Sequence, residues 1–179
     1  MIDINLILDA INGDEEAFET IIKAESDKLY KTAILYVRNK EDALDVIQET
    51  VYKAFVSINQ LNNPEYFSTW LIRILIHSSY QLLNKKNKTV LSGDALIHKI
   101  LETNHQNVEM EIDLPYALST LDNSYQTAII LFYYHDLSIK SIAEAMEKPE
   151  GTIKTYLRRA KIELKKVIEG AKNYEQRMV

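Results

Sequence analysis

The segment from residue 138 to residue 167 constrains the fold of this chain more than any other. It reads SIKSIAEAMEKPEGTIKTYLRRAKIELKKV, a short apolar-periodic segment, a four-residue break and a longer second segment. In the second segment, apolar residues recur at helical steps of four and three: Ile153, Leu157, Ala160, Leu164 and Val167. A neighbouring stripe with the same alternation is cationic: Lys154, Arg158, Lys161 and Lys165. A short helix, a tight turn and a basic amphipathic helix together predict a helix-turn-helix.

The composition predicts helices throughout the chain. Only 4 glycines and 3 prolines occur in 179 residues, which favours an all-α fold over a turn-rich β architecture. Cysteine is absent, so disulfides, a thiolate nucleophile and a cysteine-based zinc site are excluded. The N-terminus lacks the pattern of a secretory signal, and no apolar run approaches the ~20 residues that span a bilayer. We therefore expect a soluble, cytoplasmic protein.

Charge is distributed unevenly along the chain. The net charge of the whole chain, −5, argues against nucleic-acid binding. Residues 1–84 contain 7 basic against 13 acidic side chains. Residues 152–172, in contrast, contain 7 basic and 2 acidic side chains. Because the local field attracts phosphate, this one helix is predicted to bind nucleic acid, whereas the acidic first part needs a different partner.

Start signals for helices divide the chain into two predicted domains. Asp14, with Glu15 and Glu16, places acidic residues in the first turn of one helix, and N-cap residues occur at Asn39, Asn63, Asp122 and Ser138. Residues 87–112 contain a Ser-Gly-Asp break and only a weak apolar pattern, which indicates a flexible linker with at most one short helix. We therefore predict helical domains at residues 1–86 and 113–179. The helix that begins near Asn39 is predicted to bury Leu44, Ile47, Val51, Ala54, Phe55 and Ile58.

Two polar patches in the first domain are candidate functional sites. On the helix after Pro64, one stripe holds Trp70, Arg73, His77 and Gln81. Aromatic rings that alternate with cations and amides are typical of single-stranded nucleic-acid binding, although a half-buried packing face gives the same pattern. The second patch, on the preceding helix, consists of Asp45, Gln48, Glu49 and Tyr52. It predicts either a docking surface for a basic partner or ordinary solvated helix surface.

Signals for catalysis are weak. No histidine pair has helical metal-ligand spacing among His77, His98, His105 and His135. The glycines do not form a phosphate-binding loop; they are Gly13, Gly93, Gly151 and Gly170. We therefore expect no enzymatic activity, no cofactor, no metal and no small-molecule substrate.

Three segments in order carry a family resemblance: EDALDVIQETVYKAF, FSTWLIRI and LSIKSIAEAMEKPEGTIKTYLRRAKIEL. Together they resemble bacterial sigma factors of the extracytoplasmic-function (ECF) type, which are two-domain transcription initiation factors. The resemblance implies that the first domain docks on the clamp coiled coil of the largest subunit of core RNA polymerase. It also implies that this domain opens the −10 promoter element and that the second domain binds the −35 element. A further implied partner is an anti-sigma factor, often membrane-anchored, which would hold the protein at the membrane.

The resemblance also implies roles for particular residues. The docking pattern of the family, Asp-x-x-Gln-Glu, is matched by Asp45, Gln48 and Glu49, with Tyr52 beside them. The −10 contacts would come from Asn59, Asn62, Asn63, Trp70, Arg73, His77 and Gln81. The −35 contacts would come from Lys154, Thr155, Tyr156, Arg158, Arg159 and Lys161.

Departures from the family pattern leave alternatives open. Glu147 stands where glycine commonly ends the first helix of the motif, and His77 stands where asparagine is common. A stand-alone helix-turn-helix regulator with an N-terminal sensor or dimerisation domain would share the opening motif. A helical scaffold whose basic helix binds an acidic protein is the third reading.

Overall fold

All regular secondary structure described by the computed structural model is helical, over residues 2–89 and 114–175. The predicted all-α class is therefore confirmed. Residues 87–89 of the predicted linker belong to the end of a long helix. The rest of that linker, including its predicted short helix, lies outside the described residues.

The described helices form two groups. The N-terminal bundle consists of α1 (Ile4–Ile11), α2 (Glu15–Val37), α3 (Lys40–Ser57) and α4 (Phe67–Thr89), with 3-10 turns at Ile58–Gln60 and Pro64–Tyr66. The C-terminal bundle consists of α5 (Leu114–Ser119), α6 (Asn123–Ile129), α7 (Ile139–Met146) and α8 (Glu150–Glu175). A π-helical turn, Ile130–Tyr134, continues α6.

The predicted N-caps all begin helical segments, and Asp14, predicted within the first turn of α2, is its N-cap. Asp14, Asn39, Asn63, Asp122 and Ser138 each accept a hydrogen bond from a backbone N–H two or three residues later. The donor–acceptor distances are 2.9, 2.8, 3.0, 2.8 and 3.0 Å respectively. Each cap satisfies an N–H that the helix itself leaves unpaired, so these short polar side chains fix where the helices start.

The buried face of α3 differs from the prediction by one residue. The expectation that Leu44 and Phe55 are buried was wrong, because they are 60% and 49% exposed. The face that packs inward consists of Ala43, Val46 and Thr50 together with Ala54, which was predicted correctly. These small side chains let α3 approach α2 and α4 closely, and close packing outweighs the burial of two larger apolar groups. The apolar residues left outside lie beside the predicted docking patch.

The helix-turn-helix is present and consists of α7, the turn and α8. Its core contains Ile142, Ile153 and Leu157, all of which are buried. Glu147 ends α7 in the left-handed conformation, with φ 53° and ψ 45°. The backbone N–H of Lys148 then donates to the carbonyl of Ala143 at 3.0 Å, which closes the end of α7. The turn therefore has the left-handed conformation that glycine adopts easily. Here a glutamate adopts it, although its side chain disfavours this conformation.

The two bundles contact each other through buried polar groups. Thr32 on α2 is completely buried, and its Oγ1 lies 3.0 Å from Nε2 of His135, which follows the π-helical turn. The threonine hydroxyl donates to the carbonyl of Lys28 at 2.6 Å, so its oxygen accepts from the histidine N–H. Burial, with a smaller contribution from Lys28, lowers the pKa of His135 to about 4. The neutral histidine therefore belongs to the folded state.

Stability is expected to fall in mildly acidic solution because of His135. The unfolded chain binds a proton at this residue near pH 6.5, whereas the folded chain binds it near pH 4. The contribution of neutral His135 to the free energy of unfolding is therefore complete above about pH 7. It decreases as the pH falls from 6.5 towards 4, by up to ~1.4 kcal/mol per pH unit. Urea unfolding at pH 7.5, 6.0 and 5.0 measures this decrease in the free energy of unfolding. A His135→Gln variant should lose this part of the slope; an unchanged slope would contradict the assignment.

Candidate functional site

The cationic face of α8 is directed outward. Lys154, Arg158, Arg159 and Lys161 are exposed, while Thr155 and Tyr156 are half-buried. The Thr155 hydroxyl donates to the carbonyl of Gly151 at 2.9 Å, within its own helix. The six predicted −35 residues therefore share one helix, with four long basic side chains reaching solvent from a packed support. Such a rigid cationic helix is suited to a DNA groove.

Two of these cations are oriented by aromatic neighbours. The Arg159 guanidinium donates to the Tyr125 hydroxyl at 3.0 Å, and this hydrogen bond raises the pKa of Arg159. The Tyr125 ring lies 5.4 Å from that of Tyr156. Lys161 lies over the Tyr133 ring, with its Nζ 5.4 Å from the ring centroid. Tyr125 and Tyr133 were not predicted from the sequence, because no spacing pattern relates α6 or the π-helical turn to α8.

The predicted −10 residues fall into two groups. Trp70, Arg73, His77 and Gln81 line one cleft of 790 Å³ beside α3. Trp70 is half-buried, with its ring 6.1 Å from that of Phe67, and the other three side chains are exposed. The loop residues Asn59, Asn62 and Asn63 are not part of this cleft lining, and the Asn63 side chain is occupied as a cap. The four residues of the α4 stripe therefore line one cleft, and the three loop residues lie outside its lining.

A chain of polar contacts connects α3 with the α4 stripe. The ammonium of Lys53 lies 3.1 Å from Glu49, 3.3 Å from Ser78 and 2.7 Å from the amide oxygen of Gln81. The Gln81 amide nitrogen then lies 2.9 Å from Nε2 of His77. Because Lys53 can only donate, the Gln81 amide must donate to His77, which places the histidine proton on Nδ1. Lys53 was missed from the sequence, although its i, i+4 spacing from Glu49 could have indicated it.

The predicted docking patch on α3 is both acidic and apolar. Asp45, Gln48, Glu49 and Tyr52 are all exposed on one side of the helix. Leu44, Tyr52 and Val56 add apolar surface there, with exposed fractions of 60%, 65% and 59%. An apolar surface with carboxylates among it is typical of a protein-binding site rather than of a solvated helix face.

The described ranges lack metal-binding and membrane-spanning features. Residues 2–89 and 114–175 contain no group of three acidic or histidine side chains able to hold a metal ion. Among the same residues, no helix combines the length and apolar character needed to cross a membrane.

Comparison with known proteins identifies the family. A family model of sigma-70 region 2 matches residues 21–89, and one of sigma-70 region 4 matches residues 112–164. The RNA polymerase sigma factor SigV of Bacillus subtilis is 35% identical over 141 residues, which are 79% of this chain and 84% of SigV. The chain belongs to the ECF-type sigma factors. SigW of the same organism, named an ECF RNA polymerase sigma factor, is 28% identical over 86% of this chain and 90% of its own.

Solved structures share the fold of this sigma factor. CnrH, solved with the cytosolic domain of CnrY, has a TM-score of 0.71 at 19% identity and covers 94% of this chain and 97% of CnrH. RpoE from Bartonella quintana, solved with the anti-sigma factor NepR, has a TM-score of 0.69 at 22% identity, covering 85% and 96%. Sigma factors bind core RNA polymerase and recognise promoters, so transcription initiation is the function of this chain, and a stand-alone regulator is not favoured.

Proposed function

We propose that the two ends of this sigma factor divide promoter recognition between them. Residues 1–86 dock on core RNA polymerase and read and open the −10 element, while residues 113–179 bind the −35 element. Residues 87–112 link the two. The observation that carries the proposal is the separation of charge: an acidic and apolar face on α3, and a cationic face on α8.

The docking contact uses the exposed face of α3. Asp45 and Glu49 supply charge that complements a basic coiled coil on the polymerase clamp. Leu44, Tyr52 and Val56 supply apolar area at the same place. The charges steer the encounter and select the partner, and the apolar side chains contribute most of the binding free energy.

The −10 contact uses the stripe on α4. Trp70 offers an aromatic surface for an unpaired base, Arg73 a cation for the backbone, and His77 an Nδ1–H donor for a base edge. Stacking is worth roughly 1–3 kcal/mol per base, so capture of unpaired bases can drive strand opening without nucleotide hydrolysis. The loop residues Asn59, Asn62 and Asn63, which lie outside that cleft, contact a flipped base.

The −35 contact uses the outward face of α8 in the major groove. Lys154, Thr155 and Arg158 lie in the first half of the helix and contact base edges. Tyr156, Arg159 and Lys161 contact the sugar–phosphate backbone, with Arg159 held in place by Tyr125. Base contacts specify the sequence, while phosphate contacts fix the register of the helix.

The sigma factor acts in the cytoplasm as a specificity subunit, without catalysis, cofactor or metal. Its further partner is an anti-sigma protein, which is membrane-anchored and holds it away from polymerase. Family resemblance supports this partner, and so do the complexes of CnrH with CnrY and of RpoE with NepR.

Strand opening in the presence of core RNA polymerase tests this proposal. Permanganate oxidises unpaired thymines, so it detects melting of the −10 element without any nucleotide present. We expect reactivity only when core enzyme and this sigma factor are both added. Tight, specific duplex binding by the chain alone, with no reactivity on core enzyme that has bound it, would overturn the proposal.

A further inference from the structure

The ammonium of Lys53 is surrounded by acceptors from two helices of the N-terminal bundle. It lies 3.1 Å from the Glu49 carboxylate, 3.3 Å from the Ser78 hydroxyl and 2.7 Å from Oε1 of Gln81. A lysine ammonium has three N–H donors, so each of these acceptors receives one. The Lys53 side chain is only 29% exposed, and Ser78 is buried. The ammonium is therefore held in one place, and its donors are used within the protein.

Lys53 decides which way the side-chain amide of Gln81 is turned. The oxygen and the nitrogen of an amide are almost equal in size, so hydrogen bonding rather than shape selects between the two orientations. When the amide oxygen faces Lys53, the ammonium has an acceptor at 2.7 Å. When the amide nitrogen faces it, two groups that can only donate are placed against each other. Lys53 therefore turns the amide nitrogen of Gln81 away from itself.

The orientation of this amide determines the tautomer of His77. The Gln81 nitrogen lies 2.9 Å from Nε2 of His77. Because that nitrogen donates, Nε2 is the unprotonated acceptor, and the neutral ring carries its proton on Nδ1. The reverse orientation would place the Gln81 oxygen against Nε2 and would favour a proton there instead. A cation on α3 thus sets the donor atom of a side chain on α4 through two successive hydrogen bonds.

The tautomer decides which bases His77 can recognise. Lys53, Gln81 and His77 all line the cleft that also contains Trp70. An Nδ1–H donor needs an acceptor on the base, and guanine offers O6 and N7 while thymine offers O4. Adenine and cytosine carry an amino donor where guanine and thymine carry these oxygens, so two donors would face each other. The Nδ1–H tautomer therefore fits a keto base, and the Nε2–H tautomer fits an amino base.

We propose that Lys53 is a specificity-determining positioning residue: it holds His77 as a hydrogen-bond donor, so that guanine or thymine is selected at the −10 base that His77 contacts. The inference rests on the proposed −10 role of the α4 stripe. A lysine that only attracted phosphate would strengthen binding to every sequence equally. Because the donors of Lys53 are already used within the protein, its effect is instead confined to one base position.

Nuclear magnetic resonance of the full-length chain tests the effect of Lys53 on the tautomer. With nitrogen-15 in the histidine rings, long-range nitrogen–proton correlations distinguish a protonated Nδ1 from a protonated Nε2 in the neutral ring. A His77→Gln variant assigns the His77 signals by their loss. We expect the Nδ1–H tautomer in the wild-type chain and in Lys53→Arg, whose guanidinium still donates to Gln81. In Lys53→Met this donor is lost, and we expect a mixture of the two tautomers.

Transcription tests the effect of Lys53 on base selection. Core RNA polymerase and the sigma factor are given templates in which each −10 position carries each base in turn. At one position, we expect guanine or thymine to be preferred over adenine or cytosine about fivefold, as for one net hydrogen bond. Lys53→Met should reduce this preference below about twofold and leave the other positions unchanged. The matched control is Lys23→Met, at an exposed lysine on α2 that also pairs with a glutamate one turn earlier, and it should keep the preference.

The outcomes separate this inference from the proposed function. A proton on Nε2 of His77 in the wild-type chain would overturn the inference, even if transcription depends on the promoter. A uniform loss at all templates with Lys53→Met, or an unchanged base preference, would overturn it as well. If the Nδ1–H tautomer is present but no template is transcribed, the proposed function fails and the inference fails with it. The Nδ1–H tautomer, together with a keto preference that Lys53→Met weakens and Lys53→Arg retains, supports the inference.

Discussion

Replacing Asp45 and Glu49 by lysine is expected to abolish binding to core RNA polymerase. Both side chains are exposed on α3, and each reversal would put a like charge against the basic coiled coil proposed as the docking partner. Juxtaposed like charges cost several kcal/mol, which corresponds to a loss of at least about 100-fold in affinity. Fluorescence anisotropy of the labelled sigma factor with purified core enzyme measures this loss.

A control with the same change of charge separates docking from net charge. Asp9 on α1 and Glu19 on α2 are exposed outside the α3 face, and their double replacement by lysine adds the same four charges. We expect this control to retain core affinity within a few-fold. Equal losses in both double variants would mean that overall charge, rather than the α3 face, governs docking. Unchanged thermal unfolding in each variant excludes misfolding as the cause.

Arg158→Ala is expected to weaken initiation at promoters that depend on their −35 element. Arg158 is exposed on the outward face of α8, near the end of that helix proposed to read bases. Loss of a bidentate contact to one base costs ~1–3 kcal/mol, or about 5- to 150-fold, and relaxes the preference at that base pair alone. Transcription from templates with each −35 position substituted in turn measures both effects.

Lys166 provides the matched control for Arg158. It is exposed on the same helix but lies outside the segment proposed to contact DNA. Lys166→Ala should leave base preference unchanged and reduce binding by no more than one phosphate contact would. If the two variants lose activity equally at all templates, α8 contributes general electrostatic attraction and does not read sequence.

Local signals in the sequence predicted where the helices begin and where the turn lies. Caps at Asn39 and Ser138 depend on a few neighbouring residues, so spacing and residue type suffice to find them. The turn at Glu147 was harder, because a left-handed glutamate opposes its own conformational preference. Packing of α7 on α8 imposes that geometry, and a family pattern of glycine was the only indication of it.

Contacts between distant segments could not be predicted in the same way. The burial of Ala43 instead of Leu44 depends on how closely α3 meets α2 and α4, which periodicity alone does not set to within one residue. A hydrogen bond of the Thr127 hydroxyl and the bond between Thr32 and His135 connect residues about 90 to 100 positions apart. Nothing in either local segment indicates its partner, so the contact between the bundles emerges only in three dimensions.

Transcription from a randomised promoter library tests whether the two domains read separate promoter elements. Core RNA polymerase and this sigma factor are incubated with templates that carry random sequence upstream of a fixed transcribed region, and the transcribed templates are sequenced. We expect no enrichment with core enzyme alone. With the sigma factor we expect two enriched blocks at a fixed spacing, and Arg158→Ala should relax the preference at one base pair of one block. Enrichment of a single symmetric site would contradict this division of promoter recognition. So would the absence of any enriched sequence despite intact binding to core enzyme.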